Sequence, residues 1–462
     1  MTAEIESNVP SPLLSLRHRM LGASLWLLFG GGFGMALRFA TNLLMTRLLA
    51  PEMFGVVSIA TVIMIGLGMF SDLGLKQCIV QSRRGSDPNF LNTAWSVQCL
   101  QGAVTWFVAL TISMLILWVD SLELAPRNSV YSDARLPLVI AVMSSAMVIS
   151  GLASTKLYEA SRRLAVGRVA QLELASQIFG ALCMAAWAIV DRSIWALVAG
   201  GLATYSMRTL LSHVWLPGTP NRWHWDKTAL GEIIRVGRWI FASSIMGFLV
   251  NNGDRLLLGG MLDAHLLGIY AIAYLIFSSV EQVWSTIISE VVYPALSEIA
   301  RERADQTIRS FHRLYTLVAA GVYLSAGALM VSGETFVRLL YDARYADAGW
   351  MLQFLAVALI AVPQRASLYY LLAHGQAAAL SAVLAVRLMT SFVALVVGFH
   401  LFGLAGALAG LVLSHFAPVP MIIYFSARSG LFDLRRELAT LPMIGLGMAA
   451  GTLVNWGLQC LR

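Results

Sequence analysis

Several arginines occur inside long apolar stretches, and Arg387 is the clearest case because it lies near the middle of one. A charge at the centre of a bilayer costs about 2.5–3.5 kcal/mol, so each buried charge is a candidate for function. Thr390 and Ser391 follow one helical turn later on the same face, which indicates a polar stripe facing protein or water. The structural alternative is an arginine bonded to carbonyl groups of neighbouring helices.

Other polar residues in apolar stretches extend this set. Arg38 is followed one turn later by Asn42, close to four glycines between positions 30 and 34 that permit bending or close helix contact. Asn251, Asp254 and Arg255 share one helical face toward the outer end of a helix. A structural Asp254–Arg255 pair is an equal alternative, since Arg255 can extend outward to the interface.

Stacked by depth, the arginines resemble a ladder, with Arg208 and Arg365 on the inner side, Arg387 central, and Arg38 and Arg255 on the outer side. Arg365 follows Pro363, and a proline kinks its helix as at many transport sites. We expect these guanidinium groups to be unpaired and some of them to bind an anion such as a pyrophosphate. The predicted substrate-binding set is Arg38, Asn42, Arg208, Asn251, Asp254, Arg255, Arg365 and Arg387.

The acidic residues predict a gate or a coupling role instead of catalysis. Glu281 and Glu290 are nine residues apart and lie on opposite sides of their helix, so they do not form a catalytic pair. Asp72, with Lys76 one turn on, and Glu173, one turn beyond Arg168, are expected to form ion pairs at gates or helix ends. Asp72 and Glu281 are the candidate gate or coupling residues.

Motifs for catalysis and cofactors are missing from the sequence. It contains no P-loop and no zinc motif, and the glycines at positions 30–34 lack the strand context of a nucleotide fingerprint. We therefore expect no enzyme activity, no cofactor and no bound metal. The basic residues are spread over many short loops instead of forming one basic face, so nucleic acid is not an expected partner.

Composition places the chain in a membrane. Of 462 residues, 58% are hydrophobic and 12% charged, against about 45–50% and about 25% in soluble domains. Runs such as 136–152 and 442–458 approach the length of about 20 residues that spans the hydrocarbon. We expect no cleavable signal peptide, and we interpret the four cysteines as small packing residues.

Hydropathy predicts an all-α polytopic protein with about thirteen spans. The predicted helices cover 20–48, 54–78, 93–118, 136–155, 168–190, 193–215, 235–260, 266–296, 310–332, 349–373, 376–399, 403–426 and 438–459. Most of the 32 Lys and Arg residues fall on the inner side if the N-terminus is cytoplasmic. The predicted domains are a six-helix lobe (1–216), a cytoplasmic linker (217–232), a second six-helix lobe (233–428) and an extra C-terminal helix (429–462).

A faint internal repeat relates the two lobes. The segment from Leu49 to Ala60, LAPEMFGVVSIA, matches the segment from Leu262 to Ala273, LDAHLLGIYAIA, at a constant offset. Each segment joins the first and second helices of its lobe. Because each lobe has an even number of helices, the copies point the same way, which predicts parallel repeats related by an axis normal to the membrane.

These motifs resemble a known family. Phe70-Ser-Asp-Leu-Gly-Leu75, Asn251-Asn-Gly-Asp-Arg-Leu-Leu-Leu-Gly259 and Tyr293-Pro-Ala-Leu-Ser297, together with both copies of the repeat, are similar to the Wzx-type flippases of the MATE-like exporter superfamily. The resemblance covers most of the chain, in order and at the expected helices. It implies 12 to 14 spans in two lobes that open alternately inward and outward.

The same resemblance implies a substrate and a location. The expected cargo is an undecaprenyl-pyrophosphate-linked oligosaccharide, moved to the periplasmic leaflet of the bacterial inner membrane for exopolysaccharide, capsule or O-antigen assembly. Membrane lipids are expected partners, and polysaccharide polymerase and chain-length machinery are possible ones.

Three other functions stay open. A cation-coupled multidrug exporter of the same fold would bind Na⁺ or H⁺ at buried acids such as Asp254 or Glu281, and the excess of intramembrane arginine argues against it. A lipid II flippase would use the same fold and charge. A membrane glycosyltransferase or polymerase would need a larger outer loop than the stretch 119–135.

Overall fold

The computed structural model describes residues 32–71, 73–124, 126, 129–163, 165–302, 307–374 and 376–460. Within these ranges the regular structure is helical, with short 3-10 and π turns and no strand. In chain order the helices are α1 (32–48), α2 (Pro51–Ser71), α3 (Leu75–Gln81), α4 (Pro88–Ser121), α5 (Leu136–Met143), α6 (Ser145–Gly151), α7 (Lys156–Arg162), α8 (Val166–Val190), α9 (Trp195–Val214), α10 (Lys227–Met261), α11 (Ala264–Ile287), α12 (Tyr293–Glu302), α13 (Thr307–Leu340), α14 (Ala348–Ala356), α15 (Gln364–Ala373), α16 (Ala377–Phe416), α17 (Val419–Arg428), α18 (Leu434–Thr440) and α19 (Pro442–Cys460).

Many of these helices are membrane spans. In the described part of the chain, eight helical stretches are long and apolar enough to cross a bilayer, and a ninth results if α5 and α6 form one bent span with α7. The chain is therefore a multi-pass membrane protein, and the predicted all-α polytopic class is confirmed. Each predicted helical range is largely helical where it is described; residues 20–31 of the first lie outside the described ranges.

The longest apolar stretch, Ala379–Arg428, folds back on itself. As one straight helix its 50 residues would measure roughly 75 Å, more than twice the thickness of the hydrocarbon. Phe402 and Gly403 leave the helical conformation, and Gly403 has φ of 61°. A Cβ on Gly398 would lie 2.2 Å from the carbonyl oxygen of Gly406, so the two halves of α16 touch backbone to backbone. The two helices predicted for 376–399 and 403–426 are thus an antiparallel hairpin.

Two of the predicted helical ranges, 266–296 and 349–373, are interrupted, the second near the proline that was expected to kink it. Between α14 and α15 the chain forms a 3-10 turn, Val357–Ala361, ahead of Pro363. Between α11 and α12 it forms a π turn, Ile288–Val292. Proline has no N–H to donate, so it interrupts the hydrogen bonds of a helix. A π turn adds a residue to a helical turn and occurs often at functional sites. Both interruptions change the direction of side chains inside a span.

The chain divides into two compact units, and the first comprises residues up to 49, 63–117 and 137–244. Its core includes Ile79, Phe90 and Leu91, all fully buried. Helices α8 and α9 meet at glycines, since a Cβ on Gly180 would lie 2.7 Å from the carbonyl oxygen of Gly200. Small residues allow this approach, which drives helix packing in lipid.

The polar segment after α9 lies along the start of α4 in this unit. The backbone N–H groups of Arg222, His224 and Asp226 donate to side-chain oxygens of Asn92, Ser96 and Thr93 at 2.9–3.0 Å. Asp226 also pairs with Arg84, and hydrogen bonds from Thr228 and Arg84 hold the pKa of Asp226 well below its usual range. Helix α10 begins at Lys227, inside the predicted linker 217–232. The domain boundaries stay a prediction.

The second unit comprises residues 50–62, 118–136 and the chain from 245 onward. Within it α19 packs on α13 through glycines: a Cβ on Gly327 would lie 2.2 Å from the carbonyl oxygen of Ile444, and one on Gly447 would lie 2.3 Å from that of Leu324. Backbone contact of this kind holds the C-terminal helix against the rest of the unit.

The two copies of the internal repeat contact each other within this second unit. A Cβ on Gly55 would lie 2.0 Å from the carbonyl oxygen of Ala264, and one on Gly268 would lie 1.8 Å from that of Pro51. His265 Nδ1 lies 2.7 Å from Oε1 of Glu52, 213 residues away in the sequence, which is hydrogen-bond distance. Because equivalent positions meet reciprocally, the starts of α2 and α11 obey a local two-fold relation, and each glycine is required by the other copy's backbone.

We expect Gly268→Ala to lower the melting temperature of the purified protein, because the added methyl group must push the starts of α2 and α11 apart. Overpacking of this kind costs about 1–3 kcal/mol. The matched control is Gly457→Ala in α19, where a Cβ meets nothing within 4 Å. Equal melting temperatures of the two variants would contradict the reciprocal contact.

Candidate functional site

A cavity of about 340 Å³ lies within the second unit, between α10, α15, α16 and α17. Its walls are mostly apolar, and a few polar side chains face it from three of these helices. The polar lining residues are Asn251, Arg365, Tyr369, Arg387 and His415. A concave apolar pocket with a few convergent polar groups is the usual form of a ligand site.

The interrupted helix before α15 positions Arg365. Two hydrogen bonds between residues three apart lead into α15: the Arg365 N–H donates to the Val362 carbonyl, and the Ala366 N–H donates to the Pro363 carbonyl. Arg365 therefore lies in the first turn of α15, where the helix dipole disfavours a cation. Its guanidinium is held by an ion pair with Glu281 of α11 and by a hydrogen bond of 2.8 Å to Ser285 Oγ.

Arg387 is held differently, by a neutral partner. Its Nη2 lies 2.9 Å from Nε2 of His415, in the second half of the α16 hairpin. His415 Nδ1 lies 3.0 Å from the carbonyl oxygen of Leu411, which only accepts, so Nδ1 carries the proton and Nε2 accepts from Arg387. His415 is 8% exposed, and this neutral tautomer satisfies both of its ring nitrogens.

The charges of this group do not cancel. Glu281 Oε1 contacts Arg365 and lies 3.8 Å from His415 Nε2, so Glu281, Arg365, Arg387 and His415 form one continuous cluster. Two guanidinium groups against one carboxylate leave an excess of one positive charge. In a site with low dielectric constant such an excess attracts anions strongly.

The three polar residues of α10 have separate roles. Asn251 lines the cavity and donates to the Gly247 carbonyl at 2.8 Å. Asp254 is buried and accepts a hydrogen bond of 2.6 Å from Tyr270. The Arg255 guanidinium lies over the Tyr274 ring, 4.3 Å from its centroid. Instead of pairing with each other, as the sequence alternative had it, Asp254 contacts Tyr270 and Arg255 contacts Tyr274, both on α11.

The remaining predicted residues belong to the first unit. Arg38 is exposed, and its Nε lies 3.3 Å from the Gly34 carbonyl oxygen; Asn42 is half-buried. Arg208 forms an ion pair with Glu173 at 2.7 Å. Glu173 was expected to pair within its own helix, near Arg168, and that expectation is wrong. Asp72 lies outside the described residues.

The expectation of unpaired guanidinium groups is wrong for two of the arginines. Arg208 has Glu173 as its counter-ion, and Arg365 has Glu281. The attraction of a counter-ion offsets part of the cost of removing a guanidinium group from water. Sequence reasoning also missed His415, whose position in an apolar span, one hairpin away from Arg387, was the available signal.

Comparison with solved structures identifies the class of fold. The chain is similar to the lipid II flippase MurJ in an inward closed conformation, with a TM-score of 0.65 and 9% identity, over 95% of this chain and 100% of that one. It is also similar to an inward-facing multidrug resistance MATE family transporter, with a TM-score of 0.58 and 14% identity, over 86% and 95% of the two chains. The fold is that of the MATE-like transporters.

Sequence comparison gives the family. The sequence model of a protein family described as polysaccharide biosynthesis protein matches residues 44–349. The chain therefore belongs to this family. The lipopolysaccharide biosynthesis protein WzxC of Escherichia coli K12 is 23% identical over 353 residues, which is 74% of this chain and 68% of that protein. A membrane protein from the cps region of Klebsiella pneumoniae is 22% identical, over 75% of this chain and 69% of its own length.

We expect His415→Leu to lower the melting temperature in detergent, because Arg387 loses its acceptor inside the unit. An unsatisfied buried donor costs about 1–3 kcal/mol, more when it is charged. His415→Gln restores an acceptor and should recover part of the loss. The control is His400→Leu at the exposed hairpin turn, and equal stability of the two leucine variants would argue against the Arg387–His415 bond.

Proposed function

We propose that this protein is a flippase that moves an undecaprenyl-diphosphate-linked oligosaccharide across the bacterial inner membrane, toward assembly of an exopolysaccharide, capsule or O-antigen. The observation that carries the proposal is the cavity lined by Arg365 and Arg387, because the carboxylate of Glu281 pairs with Arg365 and leaves the charge of Arg387 uncompensated by direct contact among the described residues. Guanidinium groups bind phosphate oxygens with paired, charge-assisted hydrogen bonds.

The rest of the cavity suits the other parts of such a molecule. Leucine, valine and isoleucine side chains of α15, α16 and α17 offer apolar surface beside the two cations, and Tyr369 and Asn251 offer polar contacts. A lipid-linked glycan carries an isoprenoid chain, a diphosphate and sugars in that order. The cavity therefore offers apolar, cationic and neutral polar surface, which are the three kinds of surface that the parts of the proposed substrate need.

The proposal includes alternating access, with the N-terminus in the cytoplasm. The membership in a polysaccharide biosynthesis family and the likeness to transporter folds support transport over a covalent reaction. Cavity residues Arg365, Arg387 and Asn251 belong to the proposed binding set, as do Arg38, Asn42, Arg208, Asp254 and Arg255. We further propose polysaccharide polymerase and chain-length machinery as partners that receive the product.

A lipid II flippase is the second candidate, because the likeness to MurJ extends over 95% of this chain. The diphosphate and the isoprenoid are common to both substrates, so the cavity charges favour neither. The headgroup distinguishes them, since lipid II carries a peptide. A cation-coupled drug exporter fits less well, because a cavity with excess positive charge repels organic cations.

The direct test is reconstitution of the purified protein into liposomes with fluorescent lipid-linked glycans. Leaflet reversal is scored by quenching from outside. We expect a polyprenyl-diphosphate oligosaccharide to be flipped faster than lipid II and much faster than a neutral polyprenyl glycoside. Equal rates for the charged and neutral substrates would contradict the proposal, and preference for lipid II would establish the second candidate.

We expect Arg387→Ala to reduce the flipping rate at least roughly tenfold, because a charge-assisted hydrogen bond is worth about 1.5–3 kcal/mol. Membrane insertion and abundance should stay near those of the parent protein. Arg387→Lys keeps the charge but loses the planar fork and should have an intermediate rate. A normal rate in the alanine variant would remove Arg387 from the binding set.

We expect Arg38→Ala in the first unit to abolish export and to leave membrane insertion unchanged. Among the contacts that the structure describes, the exposed Arg38 guanidinium meets only a carbonyl of its own helix, so the substitution removes no packing contact between helices. Polysaccharide export in cells that depend on this protein is the measurement. The control is Arg338→Ala, which removes the surface partner of Glu334 in α13. If both variants export normally, Arg38 is a surface residue only.

A further inference from the structure

The carboxylate of Glu281 forms an ion pair with Arg365, one of the two arginines that line the cavity. It is 14% exposed, and it contacts the Arg365 guanidinium, which is 26% exposed. Both groups are thus partly buried, where an ion pair is screened less than on the surface. Any anion that binds Arg365 from the cavity must compete with this carboxylate.

Among the residues that the structure describes, no carboxylate is in direct contact with Arg387. Its Nη2 donates to the neutral His415 imidazole, and a hydrogen bond to a neutral acceptor is weaker than one to an ion. The other ionisable groups near the cluster are Asp254 and Arg255 on α10, which have opposite charges and their own tyrosine partners. Arg387 is therefore the cation that is most easily released toward a ligand.

We propose that Glu281 is a resident counter-ion that a substrate headgroup displaces from Arg365, and that a doubly charged diphosphate makes this exchange whereas a singly charged phosphodiester does not. The inference rests on the proposed function and deepens it, because it names the group that the substrate headgroup replaces. A first phosphate binds Arg387, and a second phosphate replaces the Glu281 carboxylate at Arg365.

The selectivity follows from counting charges. A phosphodiester with one negative charge can neutralise the excess positive charge at Arg387, but it has no second charge to replace Glu281 at Arg365. A disubstituted diphosphate has two negative charges and can bind both guanidinium groups. Anionic phospholipids such as phosphatidylglycerol are abundant in a bacterial membrane, and their single phosphodiester charge leaves the Glu281–Arg365 pair in place.

Removing the carboxylate tests the exchange. The full-length protein is placed in phosphatidylcholine nanodiscs, and its affinity is measured for undecaprenyl-diphosphate-N-acetylglucosamine and for phosphatidylglycerol. We expect Glu281→Gln to raise the affinity for the diphosphate about tenfold or more and that for phosphatidylglycerol by less, because only the diphosphate has to displace the carboxylate in the parent protein. The affinity ratio of the two lipids therefore rises in favour of the diphosphate.

Two matched variants control for charge and position. Glu281→Asp keeps the charge and should keep most of the ratio. Glu334→Gln makes the same chemical change at an exposed carboxylate that pairs with Arg338, and it should leave both affinities unchanged. An unchanged ratio in Glu281→Gln, with tight diphosphate binding by the parent protein, overturns the counter-ion role and leaves the proposed function intact.

A second variant tests the same claim in the opposite direction and keeps the Glu281–Arg365 pair. Ser285 Oγ accepts from Arg365 at 2.8 Å, so Ser285→Asp adds a second carboxylate at that cation. We expect roughly tenfold weaker diphosphate binding, because the headgroup must now displace two carboxylates. Ser285→Asn is the neutral control. Unchanged binding in Ser285→Asp contradicts the exchange, and a parent protein that does not bind the diphosphate overturns the proposed function as well.

Discussion

The account depends on an imbalance of charge inside a membrane-embedded helical unit. Arg365 and Arg387 face one cavity, and Glu281 compensates one of them. A guanidinium group stays charged at any physiological pH, so the excess cannot be removed by loss of a proton. The helices around the cavity therefore have to supply acceptors and counter-ions, and what they leave uncompensated is available to an anionic ligand.

Breaks in the helices make this arrangement possible. The 3-10 turn before α15 places Arg365 opposite α11, and the hairpin at Phe402–Gly403 brings His415 back to Arg387. A regular helix would present these side chains along a single stripe. Inside a membrane, backbone N–H and C=O groups that leave a helix must find hydrogen-bond partners in protein or water. Such breaks therefore tend to coincide with binding sites.

Sequence reasoning recovered the fold because lipid imposes long apolar helices, and it singled out the arginines because charge is rare in such helices. It could not find the partners of those arginines. Glu281 and Arg365 are 84 residues apart, and Arg208 and Glu173 are on different helices. His415 was missed because a histidine in an apolar span does not by itself indicate which residue of a neighbouring helix it contacts. The repeat showed that the segments around Gly55 and Gly268 are equivalent, but not that they touch. Their reciprocal contact, with a local two-fold relation, is visible only in the structure.

The most direct measurement is a structure of the full-length protein with undecaprenyl-diphosphate-N-acetylglucosamine bound. The account predicts phosphate oxygens within hydrogen-bond distance of Arg365 and Arg387, with Glu281 turned away from Arg365 and Arg387 released from His415. Phosphates bound elsewhere, with the Glu281–Arg365 and Arg387–His415 contacts unchanged, would contradict it.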